Sequence, residues 1–179
     1  VVVSYDNGDT WEIVTKNKFS SSSISEKIYD LSYDYINNYI YLIDRETYSW
    51  GGIERVYKYD INTDTCTRIE VPRDSERGFV RLRTIAVDPK STSVIYVGSA
   101  GDYFSTSTGL SRSIDGGKTW EVLTTANDSN YTPLVNNKGG YEVSCIGIDP
   151  RSGKVWLASG CYGYSTINPP YDYKNKNGK

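Results

Sequence analysis

One eight-residue phrase occurs twice in this chain, as Ser4-Tyr5-Asp6-Asn7-Gly8-Asp9-Thr10-Trp11 and as Ser113-Ile114-Asp115-Gly116-Gly117-Lys118-Thr119-Trp120. Both copies fit Ser-x-Asp-x-Gly-x-Thr-Trp, and five shared positions recurring more than a hundred residues apart are not a chance match. The pattern describes a tight turn. Gly8 and Gly117 supply positive φ without steric cost. Asp6 and Asp115, with the Ser and Thr hydroxyls, are placed to accept the turn's free N–H groups. Trp11 and Trp120 then open the next strand with a large apolar side chain, expected to be buried beside the turn.

A second phrase repeats as well. Ile85-Ala86-Val87-Asp88-Pro89 precedes Val94-Ile95-Tyr96-Val97-Gly98-Ser99, and Ile146-Gly147-Ile148-Asp149-Pro150 precedes Val155-Trp156-Leu157-Ala158-Ser159-Gly160. Leu31–Asp44 is a looser copy. Each reads as strand, turn, strand, because proline presets φ for a turn and cannot sit inside a ladder. Interleaving the two phrases gives four strands every ~55 residues. The strands expected are Val1–Ser4 and Trp11–Thr15, then Lys27–Tyr33, Tyr39–Asp44, Arg55–Asp60 and Thr67–Val71. After them come Val80–Asp88, Val94–Ser99, Gly109–Ile114 and Trp120–Thr124. Tyr141–Asp149, Lys154–Ser159 and Tyr162–Ile167 close the series. Tyr59–Cys66 stands where the second unit would carry the turn phrase, without its Gly and Trp.

The Ser-x-Asp-x-Gly-x-Thr-Trp phrase resembles the Asp-box, or bacterial neuraminidase repeat, of sialidases, family 74 glycoside hydrolases and sortilin-type receptors. In those families it marks the turn between strands three and four of a β-propeller blade. The resemblance implies an all-β chain of four-stranded antiparallel blades with Asp-box turns. The strand count covers about three blades, fewer than the four to eight of known propellers, so the chain is expected to be part of a larger one. The propeller segment is expected over 1–174, with blade boundaries near 16–26, 72–79 and 125–140 and a disordered tail at 175–179. The rhythm of Ile85–Gly98, Gly109–Trp120 and Val155–Gly160 is most similar to family 74, whose members grip xyloglucan or related β-glucans between two propellers. That family's catalytic aspartate motifs have no match here, so none is transferred.

Composition narrows the chemistry. Histidine is absent from the 179 residues, which excludes Ser-His-Asp and Cys-His catalysis within the chain and removes zinc's commonest nitrogen ligand. Cys66, Cys145 and Cys161 show no metal or disulfide spacing. No cofactor is indicated. Net charge is −2 with mixed signs, so there is no basic footprint for nucleic acid, and no apolar run spans a membrane. The sequence opens at Val1 and holds no Met, which reads as a processed or excised piece. Asn127 and Asn130 begin glycosylation sequons that matter only in a secretory eukaryote. Secretion follows from the resemblance.

Candidate function sits in the loops between strands two and three, which share one end of the blades. They are Asp44–Ile53 with Tyr48 and Trp50, Ala100–Thr108 with Asp102, Tyr103 and Phe104, and Cys161–Ser165 with Tyr162 and Tyr164. Aromatic rings on a rigid face suit the apolar faces of sugars, although loop aromatics more often cover grooves or meet a neighbouring domain. The expected partner on this face is a polysaccharide or a protein, with the rest of the propeller on another chain or segment. Asp44, Glu46, Glu54 and Asp102 lie in or beside these loops, and Asp102 is the weak catalytic candidate. Asp6 and Asp115 are structural turn groups. Arg73, Arg77, Arg81 and Arg83 are sequence neighbours and read as a solvated, ion-paired face. Asp60–Asp64 imitates a calcium loop but lacks its glycine and distal glutamate, so it reads as a hydrogen-bonded turn. Two functions from different classes remain: part of a secreted β-glucan-active enzyme or binding protein, and a non-catalytic propeller serving as a protein-interaction platform of sortilin or cellulosome-scaffold type.

Overall fold

A computed structural model describes residues 1–14, 28–48, 51–71, 81–100, 109–123 and 143–158, with backbone alone at 45–48, 51–53, 81 and 100. Every element in them is a strand: β1 (Val2–Val3), β2 (Glu12–Ile13), β3 (Ile28–Asp34), β4 (Tyr39–Tyr48), β5 (Gly51–Asp60), β6 (Thr65–Ile69), β7 (Arg81–Val87), β8 (Ile95–Ala100), β9 (Leu110–Ser113), β10 (Glu121–Val122), β11 (Cys145–Ile148) and β12 (Val155–Ala158). Chain neighbours pair antiparallel into two four-stranded sheets, β3-β4-β5-β6 and β7-β8-β9-β10, flanked by two-stranded sheets β1-β2 and β11-β12. This is an all-β propeller architecture, and the described residues form two four-stranded blades and two two-stranded parts of blades. The expected strand Tyr162–Ile167, the blade boundaries and the tail fall outside the described residues.

The sheets stack face to face in chain order. Leu42 and Ile43 show why the strands read as unbroken apolar runs rather than alternating ones. Ile43, with Tyr41, Val56 and Ile69, packs against Ile85, Ile95 and Val97 of the next blade. Leu42, with Ile40, Tyr57 and Tyr59, faces Val1 and Val14 of the preceding half-blade. A central blade is therefore apolar on both faces. The same logic holds at β8, where Ile95 and Val97 face backward while Tyr96 faces Ile146, Ile148 and Leu157 with Leu110 and Val143.

Side chains of one blade also satisfy the exposed backbone edge of the next. Asp30 Oδ2 accepts the Ile85 amide at 2.9 Å and Ser32 Oγ accepts that of Val87 at 2.9 Å. β7 is the edge strand of its sheet, so these bonds fill donors that would otherwise be unpaired. The first hairpin of each blade turns on an aspartate. Asp34, Asp88 and Asp149 accept the amides of Ile36, Lys90 and Arg151, two residues on, at 3.0, 2.8 and 2.8 Å.

Two expectations change. The loop expected at Asp44–Ile53 is largely strand, because β4 runs on to Tyr48 and β5 begins at Gly51, directly opposite. The physical reason lies in the ladder: Asp44 stands opposite Arg55 and Arg45 opposite Glu54, cross-strand neighbours of opposite sign that favour continued pairing. The other correction concerns Trp11, which is 62% exposed rather than buried, while Trp120 packs on the core between the two complete blades. Trp120 rests on the sheet that precedes its own, and among the described residues no sheet precedes β1-β2.

Candidate functional site

The stack has two ends of different character. At one end lie the aspartate turns after β3, β7 and β11 and the repeated turns between β1 and β2 and between β9 and β10. The repeated turns share most of their bonds, differing where the Asp9 amide goes to the Asp6 carbonyl and the Lys118 amide to Asp115 Oδ1. Ser4 Oγ and Ser113 Oγ donate to Asp6 Oδ1 and Asp115 Oδ1 at 2.8 Å each. They accept the amides of Gly8 and Gly117 at 2.7 and 2.8 Å. Thr10 and Thr119 give each aspartate an amide at 2.8 Å and a hydroxyl at 2.6 Å. The Trp11 and Trp120 indole N–H groups close the turn on the carbonyls of Gly8 and Gly117 at 3.1 and 3.2 Å. The threonine hydroxyls lead in holding both carboxyl groups down at about 2. A carboxylate ionised at all ordinary pH with its lone pairs engaged cannot serve as a general acid. The degenerate turn at Tyr59–Cys66 is built differently: Asp60 Oδ1 accepts the Asn62 amide at 2.9 Å, and the positive φ, 54°, falls on Asp64, one place after the glycine of the other turns.

The opposite end carries the connections between strands two and three. The β4-β5 ribbon projects there, and the neighbouring mouth is clamped at its base. Ser99 N donates to Gly109 O at 2.8 Å and Ser99 Oγ to the same oxygen at 3.3 Å. Ser99 O in turn accepts the Val143 amide at 2.9 Å. Val143 crosses so close to β8 that only glycine fits at position 98: a Cβ there would meet Thr84 Cγ2 and Val143 Cγ1 at 2.7 Å. The inner strands carry matched register shifts at this end, between Ile28 and Asp30 in β3 and between Leu82 and Thr84 in β7. Tyr29 and Arg83 are the extra residues, and such bulges re-aim side chains at the rims of sheets.

Asp44 and Glu54 are both buried, at 3% exposure, in the lower part of the ribbon. Ladder alternation puts them on opposite faces. Glu54 shares the face of Ile43 and Val56, and Asp44 shares that of Leu42 and Tyr57. They therefore open toward different inter-blade grooves and do not flank a common bond. Tyr48 ends β4 opposite Gly51. Trp50, Asp102, Tyr103, Phe104, Tyr162, Tyr164, Arg73, Arg77, Asn127 and Asn130 lie outside the described residues, as does Cys161. Among the described residues no group of three or more Cys, Asp or Glu is placed to hold a metal ion. No helix among them is long and apolar enough to cross a membrane.

The sequence reading passed over Asp30, Ser32, Gly98 and Val143, which join one blade to the next. A signal existed for the first pair: Asp30 to Ile85 and Ser32 to Val87 are each separated by 55 residues, the blade period itself.

Comparison with known proteins places the architecture. The chain is similar to the crystal structure of a family 74 xyloglucanase from Xanthomonas campestris, with a TM-score of 0.62 and 20% identity over 89% of this chain. It is also similar to the family 74 enzyme of Niastella koreensis, with a TM-score of 0.50 and 22% identity over 74% of this chain. The fold is that of the propellers in these enzymes. The chain spans about a fifth of their length, 22% and 19% respectively. No family model matches the sequence, and no curated protein matches it.

Proposed function

We propose that this chain is part of a secreted Asp-box propeller that binds or acts on plant-type β-glucan of the xyloglucan kind. The observation that carries the reading is the shared fold with two family 74 enzymes, one of them a xyloglucanase. The layout of the blades supports it. The connections richest in tyrosine, tryptophan and phenylalanine leave the stack at one end, from the β4-β5 ribbon, from the mouth held by Ser99 and Gly109, and after β12. A rigid sheet base beneath aromatic connections is the arrangement that lets flat rings stack on sugar faces. In this reading Tyr48, Trp50, Tyr103, Phe104, Tyr162 and Tyr164 contact the glycan, Asp102 remains the weak catalytic candidate, and the Asp-box residues only shape the turns.

A second reading is a non-catalytic platform for a protein partner on the same aromatic end. The separation of Asp44 and Glu54 onto opposite faces favours a binding role over catalysis by this chain alone, because glycosidases hold two carboxyl groups roughly 5–9.5 Å apart across one bond. Affinity electrophoresis of the folded chain in xyloglucan, mixed-linkage glucan and cellulose derivatives separates the two. Retardation that disappears in Trp50→Ala is the expected result. Unchanged mobility in every gel moves the assignment to a protein partner.

A further inference from the structure

Among the variable positions of the turn phrase, the fourth holds Asn7 in the first copy and Gly116 in the second. Asn7 therefore precedes Gly8, and an asparagine followed by glycine is prone to lose its side-chain amide. The glycine carries no side chain to hinder attack by its own amide nitrogen on the asparagine carbonyl carbon. Asn7 and Gly8 are both exposed, so water and base reach them. The geometry of the turn opposes the reaction all the same. Asn7 has φ of 59°, Gly8 has φ of 102°, and the Asp9 amide donates to the Asp6 carbonyl at 3.3 Å. These are the marks of a type I′ turn, in which the first central residue carries ψ of about +30°. Ring closure needs the Gly8 nitrogen and the Asn7 side chain on the same side of the Asn7 Cα–C bond. At that ψ they stand almost opposite. The nitrogen is also engaged, because it donates its proton to Ser4 Oγ at 2.7 Å. Ser4 is in turn held by Asp6 Oδ1 at 2.8 Å, and Thr10 fixes Asp6 through an amide at 2.8 Å and a hydroxyl at 2.6 Å.

We propose that Asn7 is a deamidation site gated by its own turn: the closed turn blocks attack, and only local opening lets it proceed. In the open turn the Gly8 amide gives its proton to base and its nitrogen bonds to Asn7 Cγ. The Cγ–Nδ2 bond breaks and the amide group takes up a proton and leaves as ammonia, forming a five-membered succinimide. Water opens that ring at either carbonyl, giving aspartate or isoaspartate, with no oxidation or reduction. Isoaspartate adds a carbon to the backbone ahead of Gly8, so the Gly8 amide is carried away from Ser4 Oγ and the turn no longer closes as before. The modification thus records how long the turn has stood open. The second turn holds the Gly117 amide on Ser113 Oγ in the same way, at 2.8 Å, but Gly116 has no side-chain carbonyl to attack.

Mass spectrometry of the tryptic fragment 1–16 tests this, since Asn7 is the one amide side chain within it. The full chain is incubated at pH 8, native and in guanidinium, and then digested. Deamidation is expected to be at least about tenfold slower in the native chain, as fits a site that reacts through local opening. Ser4→Ala frees the Gly8 amide and is expected to speed the native reaction about three- to tenfold. Ser4→Thr keeps the acceptor and the slow rate. Ser113→Ala loosens the other turn and leaves the Asn7 rate unchanged. Where far-UV circular dichroism shows Ser4→Ala unfolded, Thr10→Val takes its place, removing one bond to Asp6 and again speeding the native reaction. Equal native and denatured rates in the wild type overturn the inference. So does a folded Ser4→Ala or Thr10→Val variant that reacts no faster than wild type. An acceleration by Ser113→Ala as large as that by Ser4→Ala also overturns it, because unfolding of the whole chain would then set the rate.

Discussion

Alanine at Gly117 places a methyl group 2.9 Å from Ile69 Cδ1 and 3.0 Å from Ile69 Cγ2, at a residue whose φ is +91°. Its neighbour Gly116 has φ of +73° and nothing within 4 Å of the added carbon. The same substitution at adjacent positions of one turn therefore separates backbone strain from packing between blades. At Gly116 only the left-handed conformation matters, about 1–2 kcal/mol. At Gly117 that strain is joined by displacement of a packed isoleucine, a further ~1–3 kcal/mol, for a total of about 2–5 kcal/mol. Urea unfolding followed by tryptophan fluorescence measures both, provided the m-value stays constant. In thermal terms the Gly117 variant loses roughly 4–20 °C, at 2–4 °C per kcal/mol for a chain of this size.

Two controls sharpen the test. Asn7 occupies the position of Gly116 in the first turn with φ of 59°, so Gly116→Asn is expected to be nearly neutral. Ile69→Val removes the Cδ1 that the new methyl strikes first, and in the Gly117→Ala background it recovers about 1 kcal/mol relative to its own cost. Equal losses at Gly116 and Gly117, or strict additivity with Ile69→Val, would refute the claim that this turn presses on the preceding blade.

Gly98→Ala forces the Val143 backbone carbonyl, 2.8 Å from the added carbon, away from β8. It is expected to cost at least about 3 kcal/mol by calorimetry, and a wild-type melting temperature would contradict the close approach. Asp6 and Asp115, at about 2 in the folded chain against 3.8 ordinarily, contribute stability that is complete above pH ~4 and is lost as pH falls toward 2. Melting temperatures across that window should fall less steeply in Asp115→Asn than in wild type, and parallel slopes would count against the bonding described. Burial pushes the Cys66 thiol up to about 11 from 9.0. In a Cys145→Ser, Cys161→Ser background at pH 8 it should therefore react with a disulfide reagent roughly a hundredfold slower than an ordinary thiol, and more slowly still if the reagent cannot enter. Prompt reaction would place Cys66 at the surface.

Much of the architecture was legible because its local chemistry is repetitive. A turn needing positive φ at Gly8 and Gly117, and acceptors at Asp6 and Asp115, can be written in few ways, so its recurrence exposed the blade. The aspartates at 34, 88 and 149 mark first hairpins for the same reason. The ribbon beyond Asp44 was less legible: glycines at 51 and 52 suggested a loop, while the pairing that overrides them joins Asp44 to Arg55 and Arg45 to Glu54 across the turn. The burial of Asp44 and Glu54, and their opposite faces, follow from that pairing and have no local signature.

Strand periodicity, turn chemistry and the absence of histidine are properties of short stretches of chain, and the sequence alone determines them because each depends on neighbours within a few residues. Which face of each sheet is covered is a different matter. Trp11 and Trp120 occupy the same place in the same phrase with the same indole hydrogen bond, yet one is exposed and the other packs on the core. Only the tertiary structure separates them, because burial of a side chain on a blade is set by the sheet stacked against it, and that sheet is distant in sequence.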